Sequence, residues 1–260
     1  MSSRPVHPYL DHPGPLAMAH RGFSTDGLEN SMAAFAAAVD LGYSYVETDV
    51  RATSDGVGLA FHDATLDRVT DRSGNVEGQP WSRVRGALIG GREPIPTVEE
   101  LLGTWPSLRV NIDVKSQAAV APLATAVERT RAHERVCVAS FSDVRRRALL
   151  RRLSAPVATS PGMGAVALFR VAAALRASAA ARACLRTVDC LQVPERFRSV
   201  DVVNAGTVAL AHAAGRQVHV WTVNDAARIH RLLDTGVDGI ITDRADVLRE
   251  VLLGRGAWPG

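Results

Sequence analysis

Polar and charged side chains follow several apolar runs of this sequence at the points where the runs stop. Residues 16–19 are apolar and are followed by His20, Arg21 and Gly22. An imidazole exchanges a proton near neutral pH, a guanidinium binds phosphate or carboxylate with a fixed fork of donors, and a glycine lets the backbone approach a ligand. This stretch therefore predicts proton transfer beside an anionic group.

A second run, residues 43–50, alternates in the pattern of a β-strand and places Tyr45, Glu47 and Asp49 on one face. Two carboxylates on the same face of an otherwise apolar strand repel each other and are poorly solvated unless a cation lies between them. We expect that cation to be a metal ion.

The elements that would hold these residues alternate along the chain. Strands are predicted at residues 16–22, 43–50, 108–115, 135–141, 156–160, 190–194, 217–224 and 239–243, and helices at 31–41, after Thr97, and at 118–133, 143–153, 165–182, 205–214, 226–235 and 245–253. Eight strand–helix units in about 250 residues are typical of a (β/α)₈ TIM barrel. We therefore predict one catalytic domain over residues 1–260.

Residues 64–96 interrupt this alternation. They carry turn residues and no clear periodicity, which predicts a functional loop or a small inserted lobe. A short strand at 57–61 precedes them and ends on His62 and Asp63. Thr97 follows them, with Glu100 three residues later, and this pair predicts a capping box that opens a helix.

The carboxyl ends of the strands carry the active site in a TIM barrel, and the candidate groups lie at those ends. They are three carboxylates, two imidazoles, two cations and one aromatic ring: Glu47, Asp49, Asp113, His20, His62, Arg21, Lys115 and Trp221. Oxygen ligands without thiols suit Mg²⁺ or Ca²⁺, and Arg21 and Lys115 suit a phosphate. Two histidines without an activated nucleophile favour an acid/base pair. The set predicts metal-assisted hydrolysis of a phosphate ester.

Composition and charge fit this interpretation. Hydrophobic residues make up 47 % of the chain and charged residues 22 %, as in ordinary globular proteins. The net charge of +3 comes from scattered arginines with no interleaved aromatics, so we expect exposed helix faces and no nucleic-acid partner. The three cysteines, Cys137, Cys184 and Cys190, imply no disulfide framework and fit a reducing compartment.

The N-terminal residues 1–15 are polar and proline-rich, without the pattern of a signal peptide or a membrane anchor, so we expect a cytoplasmic protein. The predicted helix 165–182 is the most apolar one, but Arg170 and Arg176 interrupt it. It is expected to pack on the barrel; contact with a membrane surface stays open but is not indicated. The pattern does not set the oligomeric state.

Several short motifs occur together in the order of one known family. They are His20-Arg21-Gly22, Glu29-Asn30-Ser31, Glu47-Thr48-Asp49, His62-Asp63, Asp113-Val114-Lys115, Trp221-Thr222-Val223-Asn224 and the stretch from Gly236 to Asp243. From about residue 19 to its end the chain resembles the glycerophosphodiester phosphodiesterase family. The resemblance implies a TIM barrel with an insertion after the second strand. It also implies hydrolysis of glycerophosphodiesters to glycerol 3-phosphate and an alcohol, dependent on a divalent cation, in lipid and glycerol metabolism.

The same resemblance implies individual roles. His20 and His62 correspond to the acid/base pair, Glu47 and Asp49 to metal ligands, and Arg21 and Lys115 to phosphate binders. Glu29 would belong to the metal or substrate shell, Trp221 would wall the glycerol or alcohol side, and Gly22 would give the phosphate room. Asp113 departs from the family, which usually has glutamate there; a shorter carboxylate would bind the ion more closely to its strand or through water.

Two other functions are compatible with the same residues. One is a lysophospholipase D-like or cyclising phosphodiesterase, which acts on lysophospholipids. The other is a non-catalytic barrel that binds a phosphorylated ligand. The alcohol moiety of the substrate is not set by these motifs.

Overall fold

Eight parallel strands pair side by side in the computed structural model, which describes residues 6–198 and 200–258. In spatial order they are β8 (Ala158–Thr159), β7 (Val136–Ala139), β6 (Arg109–Val114), β2 (Tyr45–Ala52), β1 (Leu16–His20), β13 (Gly239–Thr242), β12 (Gln217–Trp221) and β9 (Cys190–Pro194). Helices connect them, so the sheet curls into a nearly closed barrel. The predicted (β/α)₈ architecture is confirmed.

The helices follow the predicted pattern with shorter bounds. They are α1 (Met32–Asp40), α2 (Trp81–Val84), α3 (Val98–Thr104), α4 (Val120–Arg129), α5 (Asp143–Leu150), α6 (Met163–Ala174), α7 (Ser178–Cys184), α8 (Ala205–Ala213), α9 (Ala226–Asp234) and α10 (Ala245–Gly254), with 3₁₀ turns at Pro8–Leu10 and His133–Arg135. No helix among the described residues is long and apolar enough to cross a membrane.

One predicted helix, 165–182, is wrong as a single element because the chain reverses inside it. Arg176 has φ +53° and ends α6, and the Ala177 amide donates to the Ala172 carbonyl at 2.8 Å. This is the hydrogen-bond pattern of a left-handed helix end, which satisfies a terminal carbonyl but cannot continue the helix. A second helix, α7, then begins at Ser178.

The barrel has a seam between β8 and β9, which share no strand ladder in the described part of the chain. Isolated hydrogen bonds bridge them instead, among them one that the Thr159 amide donates to Oδ2 of Asp189 at 3.1 Å. The Asp189 amide donates to the Thr159 carbonyl at 2.8 Å, and the Gln192 amide donates to the Ser160 hydroxyl at 3.0 Å. At this position the barrel is therefore closed by isolated hydrogen bonds and not by a strand ladder.

Two apolar cores hold the barrel. The larger lies between the sheet and the helices. The smaller fills the barrel interior and includes Met18, Tyr45 and Tyr9. Tyr9 belongs to the N-terminal 3₁₀ turn, and its carbonyl accepts a hydrogen bond from the Tyr45 hydroxyl at 2.6 Å. This turn therefore closes the end of the barrel where the strands begin.

The irregular segment 64–96 folds against β3 (Gly58–Ala60), which pairs antiparallel with β2. It contains α2 and the short pair β4 (Leu88–Ile89) and β5 (Glu93–Pro94). Its apolar side chains form a separate cluster: Leu66, Val76, Val84, Ala87, Ile89 and Ile95, together with Leu59 and Phe61. Thr97 and Glu100 form the predicted capping box at the start of α3.

Candidate active site

The candidate side chains converge on one cavity at the carboxyl ends of the barrel strands. Its volume is about 580 Å³, within the range of small-molecule sites. All eight residues identified from their types and spacing line it: His20, Arg21, Glu47, Asp49, His62, Asp113, Lys115 and Trp221.

Strand register explains why the carboxylates meet. In the parallel pairing of β1 with β2, His20 lies beside Glu47, and in the pairing of β2 with β6, Asp49 lies beside Asp113. Glu47 and Asp49 are two residues apart and so share the inner face of β2. Each of the three carboxylates is at most 8 % exposed.

The turn after β1 is bent by two residues in the left-handed region. Arg21 has φ +56° and Gly22 has φ +81°. A Cβ on Gly22 would lie 2.6 Å from the backbone carbon of Ala34 in α1. Gly22 thus permits the close approach of a helix, and the expectation that it makes room for the phosphate is corrected. The strained Arg21 backbone is of the kind that concentrates at functional sites.

Lys115 and Arg21 supply the positive charge beside Asp49. The Lys115 ammonium lies 2.8 Å from one Asp49 oxygen, and the Arg21 Nε lies 2.9 Å from the other. Burial alone would raise the pKa of Asp49, but these two cations outweigh it and the pKa is lowered. Both oxygens of Asp49 are therefore close to a positively charged side chain of the protein.

Lys115 also reaches the carboxylate that departs from the family pattern. Its Nζ lies 2.7 Å from Oδ2 of Asp113, while the other Asp113 oxygen, Oδ1, is buried without a hydrogen-bond partner among the described residues. Burial raises the pKa of this carboxyl group. An unpartnered buried oxygen costs free energy unless a donor or a cation meets it.

Glu47 is the least compensated carboxylate of the cavity. Burial, with the nearby charge of Asp49, raises its pKa to about 7. The Arg21 amide donates to its Oε2 at 3.3 Å, and the His20 Nε2 lies 3.6 Å from the same oxygen. An added positive charge nearby would stabilise the ionised form of Glu47.

The three carboxylates are candidate ligands for a hard cation. Among the described residues, no three His, Cys, Asp or Glu side chains are already arranged to hold a metal ion. The donor chemistry nevertheless fits Mg²⁺ or Ca²⁺, because a bound cation would stabilise the ionised form of Glu47, which burial and Asp49 disfavour, and Asp113 presents an unpartnered oxygen.

His20 is held by a residue to which the sequence interpretation gave no role. Its Nδ1 lies 2.5 Å from Oδ1 of Asp243, and Oδ2 of Asp243 accepts from the Asn224 side-chain amide at 2.8 Å. Burial would lower the pKa of His20, but Glu47 and Asp243 outweigh it and the pKa is raised. Asp243 is the last residue of the predicted strand 239–243. It could therefore have been identified, as Glu47 was, from its position at the carboxyl end of a strand.

His62 is held in the same manner by its neighbour. Its Nδ1 lies 2.5 Å from Oδ1 of Asp63, and the Arg68 Nε lies 2.5 Å from Oδ2 of Asp63. The hydrogen bond from Arg68, with that to His62, lowers the pKa of Asp63 to about 2. No motif or strand-end position indicated a role for Arg68, which lies in the inserted segment.

Arg68 connects the two sides of the cavity through Glu29. Its Nη2 lies 2.7 Å from Oε1 of Glu29, and the Arg21 Nη1 lies 2.7 Å from the same oxygen. Glu29 thus contacts the expected phosphate binder Arg21. A chain of alternating charges runs from His62 through the inserted segment back to Arg21.

A family profile and several curated relatives match this chain. The profile is described as the glycerophosphoryl diester phosphodiesterase family and matches residues 20–247. A "Probable glycerophosphodiester phosphodiesterase 2" of Mycobacterium tuberculosis is 48 % identical over 257 residues, 98 % of this chain and 97 % of the relative. A glycerophosphodiester phosphodiesterase of Caldanaerobacter subterraneus subsp. tengcongensis is 31 % identical, over 90 % of this chain and 96 % of the relative.

Solved structures share the fold at lower identity. A glycerophosphodiester phosphodiesterase from Agrobacterium tumefaciens superposes with a TM-score of 0.74 at 23 % identity, covering 92 % of this chain and all of that one. An Oleispira antarctica phosphodiesterase, solved in complex with the product sn-glycerol-3-phosphate, has a TM-score of 0.76 at 21 % identity, covering 92 % and 96 %.

Proposed function

Since the chain belongs to the glycerophosphodiester phosphodiesterase family and is an enzyme of that class, we propose that His20 and His62 form its acid/base pair and that a divalent cation supports them. The substrate is a small-molecule glycerophosphodiester, and the products are glycerol 3-phosphate and an alcohol. The observation that carries this proposal is that both imidazoles line one cavity and that each is held by a carboxylate at Nδ1.

The two histidines take different steps. In each ring the carboxylate accepts the Nδ1 proton, which assigns Nε2 to proton exchange in the cavity. The raised pKa of His20 favours its protonated form, so it donates a proton to the oxygen of the leaving alcohol. His62 accepts a proton from water, the water oxygen bonds to phosphorus, and the bond from phosphorus to the alcohol oxygen breaks.

Arg21 and Lys115 hold the phosphate. Each already bridges carboxylates, since Arg21 contacts Asp49 and Glu29, and Lys115 contacts Asp49 and Asp113. Such pairing fixes the position of each cation while leaving donors for phosphate oxygens. We assign Trp221 to the wall on the glycerol or alcohol side.

Glu47, Asp49 and Asp113 are the residues that would hold the cation. When bound, a Mg²⁺ or Ca²⁺ ion polarises the phosphoryl group and neutralises charge that develops on it. The Glu47 carboxylate, with its raised pKa, and the unpartnered oxygen of Asp113 support this assignment.

The acid/base pair is tested by release of glycerol 3-phosphate and choline from glycerophosphocholine. We expect His20→Ala and His62→Ala each to lower kcat by roughly 10²-fold or more. His230→Ala is the control, because His230 is exposed and contacts Arg255 outside the cavity. An unchanged kcat in His62→Ala removes that residue from the mechanism.

Two further measurements address the alternatives and the cation. Hydrolysis in ¹⁸O-water places label in the phosphate group of glycerol 3-phosphate if water attacks phosphorus, whereas internal attack by a hydroxyl of the substrate expels the alcohol and leaves an unlabelled cyclic phosphate as the product. Treatment with EDTA should abolish turnover, and Mg²⁺, Ca²⁺ or Mn²⁺ should restore it and raise the melting temperature of the wild type but not of Glu47→Gln. If no ion restores turnover, the remaining interpretation is a non-catalytic barrel that binds a phosphorylated ligand.

We also propose that the enzyme acts in the cytoplasm, in the turnover of lipid-derived phosphodiesters. Its three cysteines are free thiols, and Cys137 and Cys190 lie with their sulfurs 3.8 Å apart in the barrel interior without a bond between them. Unlinked thiols at this distance are typical of a reducing compartment.

A further inference from the structure

One cation of the catalytic cavity has no part in the chemistry proposed above. Arg170 lines this cavity together with the catalytic groups. It lies on α6, which follows β8, whereas Arg21 follows β1 and Lys115 follows β6. In the order of the strands, β7 separates β6 from β8. Arg170 therefore places positive charge on a different side of the cavity from the groups assigned to the reacting phosphate.

Arg170 differs from the other basic side chains of the cavity because no carboxylate pairs with it. The two other cations and the two imidazoles each contact at least one carboxylate, at distances from 2.5 to 2.9 Å. Within the described part of the chain, the half-buried Arg170 guanidinium forms no such ion pair. It donates one hydrogen bond, to the Val202 carbonyl at 2.9 Å. Its positive charge is therefore not neutralised by the protein.

The surroundings of Arg170 contain little negative charge. Residues 144–188 include no aspartate or glutamate. Among the described residues between 139 and 202 that line the cavity there is no carboxylate, and the charged residue is Arg170 itself. The three carboxylates of the cavity lie on β2 and β6 instead. An anionic group that enters this side of the cavity meets a positive charge and no repelling one.

The hydrogen bond to Val202 fixes the position of the Arg170 guanidinium and leaves donors for a ligand. The Val202 carbonyl is itself held, because it also accepts from the Thr207 hydroxyl at 3.1 Å. A guanidinium carries five N–H donors in a planar fork, and one of them is used here. The remaining donors suit two oxygens of a phosphate group, which is the ligand that such a fork binds most specifically.

A ligand can reach both sides of the cavity at once. The Phe141 ring lies between them: it packs edge-on against Trp221, with centroids 5.9 Å apart, and the Lys115 ammonium lies 5.6 Å from its centroid. Phe141 and Arg170 line the same cavity of about 580 Å³. The glycerol part of a glycerophosphodiester carries no charge, so an anion that meets Arg170 must belong to the alcohol part.

We propose that Arg170 binds a second phosphate group, so that the preferred substrates are glycerophosphodiesters whose alcohol is itself phosphorylated. This inference rests on the proposed function, because the bond that breaks is the same. A water oxygen bonds to the phosphorus beside Arg21 and Lys115, the bond from that phosphorus to the alcohol oxygen breaks, and that oxygen takes a proton. The products are glycerol 3-phosphate and an alcohol that keeps the second phosphate.

The same charge disfavours a cationic alcohol. A choline or ethanolamine group on this side of the cavity meets Arg170 and finds no carboxylate among the described lining residues between 139 and 202. Like charges repel, and salt screens this repulsion as it screens the attraction of a phosphate. Selectivity between anionic and cationic alcohols should therefore decrease as the ionic strength rises.

Binding of uncleaved ligands provides the direct test. Kd is measured by titration calorimetry for His62→Ala in buffer with Mg²⁺ and Ca²⁺. The ligands are glycerophosphocholine, glycerophosphoglycerol, and glycerophosphoglycerol with a second phosphate on its alcohol, either as a monoester or as a diester to another glycerol. We expect at least one doubly phosphorylated ligand to bind about tenfold more tightly than glycerophosphoglycerol, and glycerophosphocholine to bind more weakly. Equal Kd values, or no binding of any ligand, overturn the proposal.

Variants of Arg170 identify the group that binds the second phosphate. Arg170→Met, made in the same background, should raise the Kd of the doubly phosphorylated ligand by about tenfold and should not raise that of glycerophosphocholine. Arg170→Gln makes the same test with a donor kept for the Val202 carbonyl, should the methionine variant be unstable. Arg182→Met is the control, since Arg182 is an exposed arginine of α7 that does not line the cavity. A preference that persists without the Arg170 charge contradicts the assignment.

Turnover by the wild type separates this inference from its premise. Release of glycerol 3-phosphate is measured for the same ligands, and kcat/KM should be about tenfold higher with the second phosphate. If the second phosphate tightens binding through Arg170 but no ligand is hydrolysed, the proposed function fails and Arg170 is still confirmed as a phosphate-binding residue. If all ligands are hydrolysed with equal kcat/KM and bind with equal Kd, the inference fails and the proposed function does not.

Discussion

The imidazole Nδ1 of His20 lies 2.5 Å from Oδ1 of Asp243, and strand register places the two groups together. Ala19 of β1 pairs with Thr242 of β13, so the next residue of each strand reaches the cavity at the same height. Asn224 holds the other oxygen of Asp243. Asp243 is thus a positioning residue for His20.

Asp243→Asn tests this relationship. Loss of the carboxylate removes both the orientation of His20 and part of the charge that raises its pKa. We expect kcat to fall by roughly tenfold to a hundredfold, and the alkaline limb of the pH–rate profile to move to lower pH. Asp246→Asn is the control, because Asp246 pairs with Arg244 in an exposed ion pair. A fall in kcat without the pH shift would indicate a structural role only.

Arg68→Met tests the link made by the inserted segment. Arg68 is half exposed, so its loss should change stability little, yet it frees Asp63 and Glu29 from their shared partner. We expect kcat/KM to fall by about tenfold. Arg92→Met, which breaks an exposed pair with Asp26 near the same segment, should leave kcat/KM unchanged. Equal effects of the two variants contradict the link.

The raised pKa of Glu47 predicts how the free energy of unfolding depends on pH when a chelator has removed divalent cations. Its pKa is raised from 4.5 to about 7 in the folded chain, so between these values the folded state binds more protons than the unfolded state. Stability contributed by this group therefore decreases as the pH rises from about 4.5 to 7. The free energy of unfolding, measured by urea denaturation, should decrease less between pH 5 and pH 8 in Glu47→Gln than in the wild type.

Gly22→Ala separates backbone strain from steric overlap. Both Gly22 and Gly27 have φ near +80°, but a Cβ on Gly27 meets no atom within 4 Å, whereas one on Gly22 meets the backbone of α1 at 2.6 Å. We expect Gly27→Ala to lower the free energy of unfolding by ~1 kcal/mol and Gly22→Ala by roughly 3 kcal/mol or more. Equal losses in urea denaturation would show that α1 does not pack as described.

The barrel and its polar residues could be predicted because strand periodicity and strand-end positions are local features of a sequence. Glu47 and Asp113 were found in this manner. Contacts between distant segments could not be found from these local features. Lys115 was expected at phosphate but also pairs with Asp49, and Arg68 reaches Glu29 across 39 residues.

The break between α6 and α7 was missed for a different reason. Arg176 is an unremarkable residue for a helix, and its left-handed conformation depends on tertiary packing rather than on intrinsic preference. Gly22 was found, but its role was wrong, since a glycine that permits helix packing and one that admits a ligand look alike in a sequence.

The seam between β8 and β9 divides the residues of the cavity by how they are tied to the sheet. His20, Glu47 and Asp113 lie on strands that have a ladder with a neighbour on each side. In contrast, α6 and the hairpin of β10 (Arg196–Phe197) and β11 (Val200–Asp201), which line another side of the cavity, follow directly after the two strands at the seam. In the described part of the chain, each of those two strands has a ladder with one neighbour, so the polar groups of the site are the more highly cross-linked part of the cavity.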